Sequence, residues 1–308
     1  MSQSTPLIFI ELAKQLGTKV VNGRVDIPES YGKGYCSGCV FNEKIRILIF
    51  NYELKQDLIL DNPEINTTGK MILFKFQNIF KTQLSKENPS VLIATSRINS
   101  DEIISIQNAT SINIEVDSKY LEELFGLSKK SPILQSLSKN SQPLLFEQLI
   151  FPSLQIILDE IISESVEDSF KWILRKIKAE ELICRLLIEL EKRQEQQLYP
   201  LNGKDIQTLY ALKEEILNHL ATPPVINDLA EQVNMSPTKL KNLFKQIFGD
   251  SIFSYYQGFR MKEAARLLKE EQLSVSDVGY CLGFSNLSHF SRVFEENIGM
   301  KPKKYSKS

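Results

Sequence analysis

The side chains with the most legible chemistry lie in two short stretches near the C-terminus. Thr238, Lys239, Lys241, Asn242 and Lys245 fall on one side of a helical pattern whose other side carries Leu240, Leu243, Phe244, Ile247 and Phe248. Further on, Asn286, Ser288, His289 and Arg292 stand opposite Phe290, Val293 and Phe294. A helix built this way buries one stripe and offers the other to a partner. The offered groups suit the edges of base pairs. Asparagine bonds adenine N6 and N7, and lysine or arginine reaches guanine O6 and N7 or a phosphate. Arg292 carries the planar fork needed for a bidentate guanine contact or a phosphate clamp. His289 can read a base, face a phosphate or pack.

Other candidate chemistry is thinner. Cys36 and Cys39 make a C-x-x-C pair, and the remaining cysteines are Cys184 and Cys281. A structural zinc needs about four ligands, usually from a second pair, and the histidines are only His219 and His289. A redox pair places its first cysteine at a helix N-terminus, whereas Tyr35 to Val40 reads as a strand. Gly32-Lys33-Gly34 lacks the third glycine and the following helix of a nucleotide loop. Facing carboxylates and a nucleophile with its base do not stand out either. The expectation is a protein that is not an enzyme, with no metal and no cofactor.

The elements that must hold the donors are two helix-turn-helix patterns, 225–245 and 275–297. Each has a short helix with a small inward residue (Ala230, Gly279), a polar turn and a second helix. Ser236-Pro237 is a serine cap followed by proline at the first helical position, and Gly249 stops that helix. Ser274 to Asp277 starts the second unit. Between them a helix from about Ser251 to Lys269 would hold the units at a fixed separation. Ahead of them Asp205 is the expected cap of a helix reaching Leu220, which Pro223-Pro224 ends. Lys301-Pro302-Lys303-Lys304-Tyr305 can add phosphate contacts, which position without specifying.

The 308 residues suit two or three domains, and 42% hydrophobic with 24% charged residues suits packed cores. No apolar run reaches the roughly 18 residues of a membrane span. Met1 to Pro6 lacks the features of a signal peptide. A cytoplasmic chain without a membrane partner is expected. The net charge of −1 hides a split: Pro237 to the end carries 12 basic and 7 acidic residues, +5, so the rest sums to −6. A basic end on an acidic body fits a nucleic-acid module joined to a domain with another task.

That body, 1–130, reads as β-rich. Ile45 to Leu54, Leu58 to Leu60, Met71 to Phe76, Val91 to Thr95 and Ile112 to Val116 are strand-like, with turns at Asp61-Asn62-Pro63, Thr68-Gly69-Lys70 and Asn88-Pro89-Ser90. Their spacing suggests a sandwich or a small cupin-like barrel able to enclose a ligand, with helix appearing first near Lys119. A helical segment follows over 131–198, one helix from about Pro143 to Glu160 and a longer one through Phe170, Ile173, Leu174, Ile177, Ile183, Leu186, Leu187 and Leu190. Lys171, Arg175 and Lys176 fall on its polar side. Its apolar face packs within the chain or on a second copy. Residues 199–204 form a linker to 205–308. The fold class is α+β in front and all-α behind.

The stretch Leu282-Gly283-Phe284-Ser285-Asn286, Ser288-His289-Phe290-Ser291-Arg292-Val293-Phe294, Gly299-Met300-Lys301-Pro302 and Tyr305 resembles the C-terminal signature of the AraC/XylS family of bacterial transcription regulators. The resemblance covers roughly Ile206 to Tyr305. It implies two helix-turn-helix subdomains joined by a linker helix, both in the major groove of double-stranded promoter DNA. By position it implies base-facing roles for Thr238, Lys241 and Asn242, and for Leu287, Ser288, His289 and Arg292. Gly279 stands where alanine is common, and Leu287 where polar residues are frequent, so Leu287 would touch a thymine methyl. The front half is faintly similar to siderophore-responsive members over Ile27 to Gly34. A sequence-specific regulator follows, with a small-molecule effector, a second copy and RNA polymerase as further partners. The rival readings are a barrel enzyme with a DNA-binding tail and an effector-independent architectural binder.

Overall fold

The computed structural model describes residues 3–41, 44–56, 58, 70–79, 89–95, 108–163, 166–193 and 198–307. They fall into two compact units, Met1–Pro200 and Leu201–Ser308.

Eight strands of the first unit form one antiparallel sheet: β1 (Gln3–Ser4), β2 (Arg24–Asp26), β3 (Gly32–Phe41), β4 (Ile45–Leu54), β5 (Met71–Gln77), β6 (Ser90–Thr95), β7 (Asn108–Asp117) and β8 (Leu145–Leu149). The order is β1-β3-β4-β7-β5-β6-β8, with β2 added on β3. Both faces of the central strands are covered, which explains their continuous apolar runs. Along β4, Leu48, Phe50 and Tyr52 enter a smaller core, while Ile45, Ile47 and Ile49 enter a larger one. The smaller core is closed by α1 (Leu7–Gln15), through Ile8, Phe9, Leu12 and Ala13. The larger is closed by α2 (Ser118–Phe125), α3 (Pro132–Lys139), α4 (Pro152–Ile162) and α5 (Asp168–Lys192).

Two elements correct the sequence expectation. Helix begins at α1 rather than near Lys119. Its buried positions repeat at helical spacing, but Pro6 precedes it with no side-chain cap, so the usual start signal is missing. The helix expected from Pro143 is instead β8, paired with β6 at Ile93 and Phe146, and the helix starts only at Pro152. A short apolar run does not distinguish strand from buried helix. Ile59-Leu60, Asp61-Asn62-Pro63, Thr68-Gly69, Asn88 and Gln194 to Gln197 lie outside the described residues.

Cys36 and Cys39 both lie on β3, three residues apart, so their side chains leave opposite faces of the strand. Cys36 enters the smaller core and Cys39 the larger. Burial pushes the Cys39 thiol up to about 11, partly offset by the charge of Arg175, and pushes Cys36 higher still. Two thiols separated by a sheet cannot share a metal or a disulfide. No group of three or more His, Cys, Asp or Glu among the described residues could hold a metal ion, and no helix there is long and apolar enough to cross a membrane.

The second unit contains α6 (Gly203–Asn218), α7 (Ile226–Gln232), α8 (Pro237–Phe248), α9 (Ile252–Lys269), α10 (Val275–Cys281), α11 (Leu287–Ile298) and α12 (Pro302–Tyr305). Asn202, not Asp205, caps α6: its Oδ1 accepts from the Asp205 N–H at 2.7 Å. Asp205 sits in the first turn, where the helix dipole favours its charge.

Candidate nucleic-acid interface

Helices α7–α8 and α10–α11 are two copies of one local design. In each, the residue after the turn closes on the inward small residue: Met235 N–H donates to Ala230 O and Phe284 N–H to Gly279 O, both at 2.9 Å. The turn needs a left-handed residue, Asn234 (φ 52°) in the first and Gly283 (φ 78°) in the second. Ser236 caps α8 through the Lys239 N–H at 3.2 Å. Asn286 caps α11, its Oδ1 accepting from the Ser288 and His289 N–H groups at 2.9 and 3.1 Å. Left-handed Gly249 and Gly299 end both helices.

The second helices bury Leu240, Leu243, Phe244, Ile247 and Phe248, and Phe290, Val293 and Phe294. Thr238, Lys241 and Lys245 are exposed on α8, with Asn242 half-buried beside them. Ser288, His289 and Arg292 are exposed on α11. Arg292 Nε lies 4.0 Å from Glu296 Oε1 with both side chains well over half exposed. Such a pair contributes under about 1 kcal/mol and does not hold the guanidinium back.

Three of the sequence-expected residues are engaged elsewhere. Lys239 points along the protein rather than away from it, its Nζ 2.9 Å from Asp205 Oδ1. Asn286 spends its acceptor on the cap, leaving only the amide NH2 to donate. Leu287 is the first residue of α11, and a side chain there turns back over the preceding turn. A Cβ built on Gly279 would sit 2.6 Å from Leu287 Cδ2 and 3.3 Å from Phe290 Cδ1. The leucine therefore fills the space that an alanine at 279 would need. The glycine at 279 and the leucine at 287 are thus one packing event, and a thymine contact from Leu287 would require its side chain to leave Gly279.

Sequence reasoning missed what fixes the two copies together. Arg260 on α9 is buried, and its Nε donates to Leu282 O at 2.9 Å while an Nη bonds the same carbonyl. Its guanidinium stacks on Phe284 at 3.7 Å, and burial pulls it below the usual arginine range. Tyr256 on α9 donates its hydroxyl to Leu220 O at 2.8 Å. Next to that carbonyl, a Cβ on Gly283 would lie 2.1 Å from Ala221 O, so glycine alone permits the approach. The turn of the second copy is thus docked onto the backbone leading into the first. Helix α9 has 18 residues and spans roughly 27 Å at 1.5 Å per residue. One turn of DNA is about 34 Å.

A family model described as "Helix-turn-helix domain" matches residues 229–308. The regulatory protein PchR of Pseudomonas aeruginosa is 36% identical over 71 residues, 23% of this chain and 24% of that protein. The arabinose operon regulatory protein of Escherichia coli is 34% identical over 91 residues, covering 29% and 31%. A solved transcriptional regulator of Chromobacterium violaceum, titled as containing an AraC-type DNA-binding domain, overlaps 34% of this chain and 95% of its own, at 26% identity and TM-score 0.32. The chain spans about a quarter to a third of the length of these two curated relatives. Fold and sequence together define the second unit as a helix-turn-helix domain. More narrowly, it is similar in sequence to part of the regulatory protein PchR and of the arabinose operon regulatory protein.

Proposed function

We propose that the chain is a sequence-specific DNA-binding transcription regulator whose α8 and α11 enter adjacent major-groove segments. The observation that carries this is the pair of donor-bearing helices held in fixed relation through Arg260, Tyr256 and Gly283. Thr238, Lys241 and Asn242 read one segment, and Ser288, His289 and Arg292 the other. Lys245, and Lys301, Lys303 and Lys304 beyond α11, supply phosphate contacts, which make affinity fall with salt. A rigid two-headed unit favours a defined site over the sequence-blind binding of an architectural protein.

The first unit is the regulatory half in this reading, its sheet the scaffold of a barrel or sandwich that senses a small molecule. The solvent side of α5 exposes Phe170, Ile173, Ile177 and Ile188, each above half. Their helical spacing supports pairing of two copies through α5. RNA polymerase is the further partner that promoter activity requires.

Removing residues 1–200 tests the modular assignment. The fragment 201–308 should fold and retain duplex affinity; a helical fragment that does not bind DNA refutes it.

A further inference from the structure

Over its first three turns α5 is turned inside out. Phe170, Ile173 and Ile177 are more than half exposed, whereas Arg175 is only 4% exposed. Sequence periodicity places those isoleucines inward and Arg175 on the polar side. Further along, Ile183, Leu186, Leu187 and Leu190 are buried as the pattern requires. Burying a guanidinium costs stability that an apolar residue would not, and local rules are broken most often where function demands it.

The inverted turns border a cleft of about 920 Å3 beside β2 and β3, within the size range of small-molecule sites. Arg24, Lys171 and Arg175 bring three cations to its wall against one carboxylate, Asp26. That carboxylate is held by Arg24 Nε at 2.8 Å. Arg175 is pre-oriented: its Nε donates to Ile161 O at 2.9 Å, one Nη lies 3.4 Å from Ser37 Oγ, and the guanidinium sits 4.7 Å from the Trp172 ring. The indole in turn rests on a glycine floor. A Cβ on Gly23 would lie 2.6 Å from Gly38 O and 3.1 Å from Trp172 Cζ2. The field of Arg175 reaches the cleft wall, where it opposes the upward shift of the Cys39 thiol.

We propose that this cleft binds an organic carboxylate, its charge met by Arg175 and Lys171 and its apolar body laid against Trp172 and Val21. As a signal, this ligand rests on the sensor reading above; as a binding site it does not. An arginine fork beside a lysine suits a planar anion, and the indole supplies apolar area and ring contact.

Trp172 is the single tryptophan of the chain, so its emission reports this cleft in the full-length protein. The probe is benzoate, with benzamide as the uncharged isostere. Benzoate should change the emission saturably, and its Kd should rise with ionic strength. Benzamide should bind at least about tenfold more weakly, the difference expected of a charge-assisted contact. Lys171→Gln and Arg24→Gln, at half-exposed positions, should each weaken benzoate by several-fold while leaving the far-ultraviolet circular dichroism unchanged. Arg175→Gln should weaken it most. The proposal is overturned if benzoate leaves the emission unmoved at millimolar concentration, if benzamide binds as well, or if Lys171→Gln has no effect. Affinity for DNA, measured with and without saturating benzoate, reads the sensor hypothesis separately. Occupancy that leaves DNA affinity unchanged removes that hypothesis and leaves the cleft assignment standing.

Discussion

Exchanging the packing partners Gly279 and Leu287 should show strong coupling between them. In Gly279→Ala the new methyl would start 2.6 Å from Leu287 Cδ2. Alanine improves the propensity of α10 by up to about 1 kcal/mol, while overpacking costs about 1–3 kcal/mol. The net is a destabilisation between about 0 and 3 kcal/mol. In Leu287→Ala a half-buried leucine is lost, at about half the ~2–5 kcal/mol of a fully buried one, so about 1–2 kcal/mol. The double variant removes the clash and keeps the propensity gain. It should be no less stable than Leu287→Ala alone, a coupling of about 1–3 kcal/mol, equal to the overpacking relieved and within what contacting residues can show. Urea and thermal unfolding of residues 201–308, followed by circular dichroism, measure all four corners of the cycle. For a domain of this size, 1 kcal/mol moves the Tm by roughly 4–8 °C. Additivity within about 0.5 kcal/mol would refute the packing argument. So would a Leu287→Ala variant of unchanged stability that relaxes preference at one base, because that result would return Leu287 to the groove.

Three further outcomes are expected. Arg292→Ala should lose about 1–3 kcal/mol at a cognate site and relax one base position, measured by binding to single-base variants of that site; Arg292→Lys keeps the charge without the fork and should not restore the preference. Lys239→Ala strips Asp205 of its 2.9 Å partner and should destabilise the domain by about 1 kcal/mol, whereas Lys245→Ala should leave unfolding unchanged and weaken all DNA sequences alike. In the native protein at neutral pH, a thiol reagent should label exposed Cys281 first; Cys36 and Cys39, buried thiols with raised pKa, should react only on unfolding.

The helix-turn-helix unit was legible because its signals are local. Ser236-Pro237, Ser274, Gly249 and Gly299 are caps whose effect depends on a few neighbours, and the buried stripe of each second helix repeats at 3.6 residues. Locality also limits such reading. Both Asn202 and Asp205 are good caps, and only the backbone decides that Asn202 takes the role. Gly279 and Leu287 are each conspicuous in sequence, but their contact crosses a turn. Arg260 looks like any polar residue of a helix until Leu282 O and Phe284 close around it. In the first unit the β-branched and aromatic runs between turn signals located β4, β5, β6 and β7. The periodicity of α5 misplaced Arg175, because what a helix buries there is set by the cleft and sheet against it rather than by the helix itself.

One chain carrying two groove-reading helices, at a spacing fixed by α9, dictates the layout of its binding site. In vitro selection by the full-length protein from a random duplex pool tests it most directly. The enriched site should consist of two short blocks, centres about one helical turn apart, with Arg292→Ala erasing preference in one block and Asn242→Ala in the other. Inserting about half a turn, 5 base pairs, between the blocks should abolish specific binding. Recovery of a single block, of two blocks at indifferent spacing, or of no preferred sequence would contradict it.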